Sequence, residues 1–213
     1  AMLELACKLI LGYLAGSIVG SLVVGRLRGV DIRLLGSGNA GGTNALRTQG
    51  KGFALAVVAI DVLKAVLPIL WLTGAALPGV PVDPAVSRET VAVVIGAAAV
   101  AGHVWPLFFG FRGGKGMATL VGAYAAIDAA VLAPVLAGWV LVLAVGGYVG
   151  VATMAAALVA PAWLALTGQA DRPLFWFALL MAVLVAWTHR SNIARMRAGN
   201  ENRMFRGLLG RRR

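Results

Sequence analysis

The sequence predicts an all-α fold, a polytopic transmembrane helical bundle of seven spans with its N-terminus outside. Three observations predict it. Only 13% of residues are charged and 60% are hydrophobic, whereas soluble domains are roughly a quarter charged. Mean hydropathy is +0.87. Several apolar runs approach the ~20 residues that cross a bilayer as helix. Residues 1–213 read as a single integral membrane domain.

The elements follow in chain order. Leu9 to Gly25 is the first apolar run. It lacks a basic lead-in beyond Lys8 and a clear small-x-small cleavage site, and Arg26 and Arg28 follow it, so it reads as a retained span rather than a signal peptide. Gly12, Gly16 and Gly20 recur every four residues, a stripe that lets another helix approach closely. Phe53–Thr73 is the second span, Thr90 to about Pro106 the third, and Leu174–Thr188 the last. The chain between Met117 and Gln169 must cross an odd number of times. It fits three short spans broken at Asp128 and at Gly146-Gly147, of which Met117–Ile127 is the shortest. Five spans with a re-entrant region is the alternative. No internal repeat of the inverted-transporter kind is visible.

Charge sets the sides. The net charge is +11, and fifteen of the nineteen basic residues lie in Arg26–Lys51, Arg112–Lys115 and Arg190–Arg213. Cytoplasmic loops collect Lys and Arg, so these segments are expected inside. Gly74–Glu89 and Gln169–Arg172 are expected outside. This reading needs the bilayer as a partner and no nucleic acid. Arg206 and Arg211 to Arg213 read simply as topology signals.

Three polar strings interrupt the apolar chain, all on the basic side. They are GSGNAGGTNALR (Gly36–Arg47), GHVWPLFFGFRGGKGMAT (Gly102–Thr119) and HRSNIARMRAGNEN (His189–Asn202). Glycine-rich turns expose backbone N–H groups, and with Lys or Arg nearby they suit phosphate oxygens. The strings therefore predict an anion site at the membrane surface. Arg47 and Lys115, set inside the glycine strings, read as functional cations. Gly36, Gly38 and Gly41 imitate a dinucleotide fingerprint, but Asp61 lies in an apolar span and no βαβ unit exists. The same stretch imitates a P-loop, but Gly42 stands where lysine is required. Asp61 and Lys64, three apart near a span, read as a helix-holding pair. No His, Cys, Asp or Glu cluster suits a metal, and no cofactor is expected.

Together the strings resemble the bacterial integral-membrane acyltransferases that move a fatty acyl group from acyl phosphate to glycerol 3-phosphate. The resemblance covers nearly the whole chain. It is carried by Gly36-Ser37-Gly38-Asn39 with Gly41, Thr43, Asn44 and Arg47. It continues through Gly102-His103, Pro106 and Gly113-Gly114-Lys115-Gly116 with Ala118-Thr119. His189, Asn192-Ile193, Arg195, Gly199 and Glu201 complete it, and Asp61 and Lys64 match a further family pair. It implies lysophosphatidic acid as product and the first acylation of phospholipid synthesis, at the cytoplasmic side of a bacterial inner membrane. It implies that Ser37, Arg47, His189 and Asn192 act in catalysis. Gly36, Gly38, Asn39, Gly41, Thr43, Asn44, His103 and Gly113 to Gly116 would bind substrate, and Asp61, Lys64 and Glu201 would be structural. Ala40 and Gly42 replace the commoner proline and alanine. Members often carry Arg-Tyr-x-Ser where this chain has Gly147-Tyr148-Val149-Gly150.

The chemistry agrees with the resemblance. Both implied substrates carry phosphate, and one carries a long acyl chain. Acyl phosphate is an activated mixed anhydride that needs alignment and oxyanion stabilisation. Of eight acids, only Asp31, Asp61 and Glu201 lie near the basic face. The H-x-x-x-x-D arrangement of acyl-CoA-using enzymes is absent, since Phe108 follows His103 by five and Ala194 follows His189 by five. Either a histidine or the substrate's own phosphate must then take the proton, and phosphate, whose dianion is basic near neutral pH and would sit beside the hydroxyl, is the favoured expectation. An organophosphate transporter and a regulatory membrane protein are the competing classes. The first needs a path to both faces, and the second does not need three polar strings on one.

Overall fold

The computed structural model describes residues 2–205, so Arg206 and Arg211 to Arg213 lie outside the described residues. Helices are the dominant regular structure among the described residues. The α-helices are α1 Met2–Gly16, α2 Gly20–Leu27, α3 Gly42–Gln49, α4 Lys51–Leu72, α5 Arg88–Val104, α6 Met117–Ile127, α7 Leu132–Gly146, α8 Val149–Leu166, α9 Pro173–Thr188 and α10 Arg190–Arg197. The described residues fall into two compact units, divided between Ile127 and Asp128.

Local chemistry explains the boundaries. The Ser87 hydroxyl accepts the Thr90 N–H at 3.0 Å and caps α5. Pro173 opens α9, where its missing N–H costs nothing. Gly147 closes α7 with φ +75°, left-handed backbone that suits glycine.

In the first unit α1 packs on α5, and α4 packs on α6. The glycine stripe makes the first of these contacts. A Cβ on Gly12 would lie 2.9 Å from the Ile95 carbonyl oxygen, and one on Gly16 would strike the Ala99 backbone. Gly20 faces α4 instead, with Val57 O 2.7 Å from its would-be Cβ. Gly122 of α6 likewise abuts the Val62 carbonyl. In the second unit α8 packs between α7 and α9.

Four stretches are long and apolar enough to cross a bilayer: Lys51–Leu72, Arg88–Phe109, Ala129–Gly146 and Val149–Leu166. The pairs α1 with α2 and α9 with α10 qualify as two more, bent by 44° and 48°. Met117–Ile127 is a shorter apolar helix with the boundaries expected of the short fourth segment. Large apolar side chains face outward along these helices, including Leu67, Leu70 and Trp71 on α4 and Trp176, Leu180 and Val183 on α9. Such surface belongs in lipid.

One element differs from expectation. The first apolar run is a broken helix rather than a continuous one. Its break, at Ser17 to Val19, is stabilised by α4. The Asp61 carboxylate accepts the Gly20 N–H at 3.0 Å, and the Lys64 ammonium donates to the Ile18 carbonyl at 3.2 Å. An anion thus meets the positive start of α2 and a cation the negative end of α1. The Asp61–Lys64 contact, 3.0 Å, is the expected i, i+3 pair.

Candidate active site

The broken helix also organises the polar strings of the first unit. The Ser21 hydroxyl donates to the Ala40 carbonyl at 2.8 Å, fastening the first string. The Ser17 hydroxyl accepts the Leu107 N–H at 3.2 Å, and the Tyr13 hydroxyl donates to the Trp105 carbonyl at 2.7 Å, fastening the second.

Within the first string, Asn44 is the knot. Its buried side-chain amide donates to the carbonyls of Ile32, Leu35 and Asn39, each at 3.0 Å, and its oxygen accepts the Ser37 N–H at 3.0 Å. Gly36 and Gly38 adopt φ +57° and +72°, and a side chain on Gly36 would collide with the Asn44 amide. The result is a tight turn with Ser37 half-buried at its crest, closed by α3. Thr43 lies in the first turn of α3 and Arg47 stands exposed in its last turn. Asn44 therefore shapes the turn directly. Asn39 and Gly41 lie half-buried beside it.

Within the second string, the chain reverses after α5. Gly113 N–H bonds to Val104 O and Gly114 N–H to His103 O, both at 3.1 Å. His103 is buried at 2% exposure with Nδ1 2.8 Å from Lys64 Nζ. The ring's far nitrogen, Nε2, faces Gly114 so closely that a side chain there would overlap it. Lys115 follows, half-buried, and Gly116 turns the chain into α6 at φ +87°.

Arg33 stitches the two strings together. It donates to Phe109 O at 3.1 Å and Arg112 O at 3.0 Å, while its other nitrogens grip Asp31 at 2.7–3.1 Å. The guanidinium holds the Asp31 carboxyl below the usual carboxylate range, and Asp31 raises Arg33 in turn. Arg26 sits over the Phe109 ring at 4.4 Å. A cavity of about 290 Å³ opens between Arg26, Arg33 and Phe109.

The third string lies in the second unit. His189 Nδ1 is 2.8 Å from the Val185 carbonyl. A carbonyl only accepts, so Nδ1 carries a proton. Asn192 Nδ2 donates to Glu201 at 2.8 Å, and Arg195 donates to the same carboxylate at 2.6 Å. The family departures have local reasons. A Cβ at Gly150 would lie 2.8 Å from Asn192 Nδ2, so its absence lets Asn192 pack against α8. Gly147 occupies a left-handed position where arginine would be strained. Its carbonyl accepts the Met204 N–H at 2.8 Å, and Arg203 covers Tyr148 at 4.7 Å.

Sequence reasoning missed Ser17, Ser21 and the Asp31–Arg33 link. The D-x-R spacing just before the first string was their available signal. Each acid expected near the basic face is engaged by a cation: Asp31 by Arg33, Asp61 by Lys64 and Glu201 by Arg195.

The glycerol-3-phosphate acyltransferase family model matches residues 6–199. The chain belongs to this family. A glycerol-3-phosphate acyltransferase of Shouchella clausii is 37% identical over 95% of this chain and 97% of its own. One from an Anaeromyxobacter species is 40% identical over 91% and 93%. Among solved structures, PlsY, an integral membrane glycerol 3-phosphate acyltransferase in its glycerol 3-phosphate form, superposes with a TM-score of 0.81. It is 32% identical over 94% of this chain and 96% of its own. The lysophosphatidic acid form superposes at 0.78. The family fold is an integral membrane one, and this chain shares it nearly end to end.

Proposed function

We propose that the protein transfers a fatty acyl group from acyl phosphate to the 1-hydroxyl of glycerol 3-phosphate, releasing lysophosphatidic acid and phosphate. The observation that carries this reading is the near full-length match to an enzyme solved in forms with that acceptor and that product. The glycine turns at Gly36–Gly41 and Gly113–Gly116 are stitched by Arg33 and flanked by Arg47 and Lys115; those cations, with the turn N–H groups not already bonded to Asn44, Leu35, Val104 and His103, suit two phosphates.

In the reaction the acceptor oxygen attacks the acyl carbonyl carbon. A carbon–oxygen ester bond forms, the carbonyl-to-phosphate oxygen bond breaks, and phosphate leaves with its electron pair. The hydroxyl proton passes to substrate phosphate. The engaged state of Asp31, Asp61 and Glu201 supports that route, because a carboxylate bound to a cation is a weak base. Ser37 and Arg47 act on the reacting groups. Gly36, Gly38, Asn39, Gly41, Thr43, Asn44, His103 and Gly113 to Gly116 form or shape the phosphate-binding turns. His189 and Asn192 serve the same reaction, and Glu201 holds Asn192. We place the three strings on the cytoplasmic side of a bacterial inner membrane, with seven crossings and the N-terminus outside. That count takes each bent pair as one span and includes α6.

Purified protein in detergent, given acyl phosphate and labelled glycerol 3-phosphate, is expected to form labelled lysophosphatidic acid. Ser37→Ala and Arg47→Ala should abolish it. Uptake of organophosphate into proteoliposomes without acyl transfer would instead identify a transporter.

A further inference from the structure

The Lys64 ammonium has three N–H donors and no acceptor. Three polar atoms surround it: Ile18 O at 3.2 Å, Asp61 Oδ1 at 3.0 Å and His103 Nδ1 at 2.8 Å. An ammonium can only donate, so the 2.8 Å contact requires His103 Nδ1 to offer a lone pair. A proton on that nitrogen would point at the ammonium, donor against donor, because the alternative acceptor, Asp61 Oδ1, is farther away at 3.4 Å. A neutral imidazole that accepts at Nδ1 carries its proton at Nε2. That nitrogen is the one turned toward Gly114, where only glycine leaves room for the ring.

We propose that Lys64 is a positioning residue of the anion site: by occupying His103 Nδ1, it fixes the ring as an Nε2–H donor turned toward the Gly113–Gly116 turn and the phosphate received there. The inference rests on the reading that this turn binds glycerol 3-phosphate. It assigns the Asp61–Lys64 pair two tasks at once. One is holding the broken first helix, and the other is setting which nitrogen of His103 faces the substrate. Asp61 contributes by accepting a hydrogen bond from one ammonium N–H, which orients the remaining two. The His189 ring is held the other way round, with its Nδ1–H donated to the Val185 carbonyl.

The chain has only two histidines, so a nitrogen-15 spectrum of histidine-labelled full-length protein resolves both, with His189→Gln removing one signal for assignment. At neutral pH His103 is expected to show a protonated Nε2 and an unprotonated, hydrogen-bonded Nδ1. A protonated Nδ1 overturns the proposal. In steady-state kinetics, His103→Asn keeps an acceptor near Lys64 but loses the Nε2–H. Its KM for glycerol 3-phosphate should rise roughly ten-fold or more, as for loss of a charge-assisted hydrogen bond, with the melting temperature close to wild type. His103→Gln restores an N–H near the Nε2 position and should recover most of that loss. A role confined to holding Lys64 predicts the opposite order, with Asn near wild type and Gln impaired, and that result also overturns the proposal. If His103→Asn fails to fold, the wild-type spectrum still decides. Lysophosphatidic acid production alongside a protonated Nδ1 defeats this inference alone. Absence of acyl transfer by the wild type defeats the functional reading and leaves the spectrum to judge the tautomer.

Discussion

Lys115 stands between Gly114 and Gly116 in a turn whose backbone is already folded by bonds to α5. Its ammonium adds charge to a turn that is positioned without it. Lys115→Ala should therefore weaken glycerol 3-phosphate binding without unfolding the turn. One charge-assisted hydrogen bond is worth about 1.5–3 kcal/mol, so KM should rise roughly ten- to a hundred-fold. If the contact is equal in ground and transition states, kcat should hold. Titration of initial rates against glycerol 3-phosphate checks this. His189 poses the opposite question. A backbone carbonyl orients its ring through Nδ1, and a carbonyl gives an imidazolium less support than a carboxylate does. The His189→Gln variant should thus lose amplitude while keeping the wild-type pH profile. Loss of an ionisation limb between about pH 5 and 8 would show histidine to be the base. At this scale the sequence made the strings and the Asp61–Lys64 pair legible. It did not reveal that His103 joins that pair, because the contact spans 39 residues and no local pattern encodes it. Nor did it show that Asn44 ties four backbone groups of its own turn.

Helix boundaries were largely legible. Phe53–Thr73 corresponds to α4, Thr90–Pro106 to α5 and Leu174–Thr188 to α9, each within a few residues. The breakpoints at Asp128 and Gly146-Gly147 also stand: the Asp128 carboxylate caps the start of the turn leading into α7, and a left-handed glycine ends α7. The break in the first helix was not legible. Ser17-Ile18-Val19 contains no proline or glycine, and the ends are stabilised by Asp61 and Lys64 from another helix. The glycine stripe was read as a packing face, and α1 does approach α5 along it. Gly16→Val places a side chain against the Ala99 backbone, which cannot rotate away. Overpacking of this kind costs about 1–3 kcal/mol. The melting temperature in detergent should fall, while the same change at exposed Leu11, Leu11→Val, should have little effect.

For the whole molecule, composition and charge distribution carried the membrane assignment, and the spacing of three strings carried the family. What composition could not supply was sidedness at each loop, which depends on the bilayer itself. Single cysteines introduced as Ser37→Cys, Lys115→Cys and Asn192→Cys in a Cys7→Ser background should resist an impermeant thiol reagent in intact cells. They should react in inside-out vesicles. Labelling of any one from outside overturns the proposed orientation. The choice of donor is the central claim, because it joins the missing H-x-x-x-x-D pattern, the cation-bound carboxylates and the phosphate-cradling turns in one account. The direct measurement offers the purified protein glycerol 3-phosphate with acyl phosphate or acyl-CoA in parallel and follows lysophosphatidic acid. The account predicts product from acyl phosphate, with one phosphate released per acyl group transferred, and none from acyl-CoA. Robust turnover with acyl-CoA and none with acyl phosphate would contradict it.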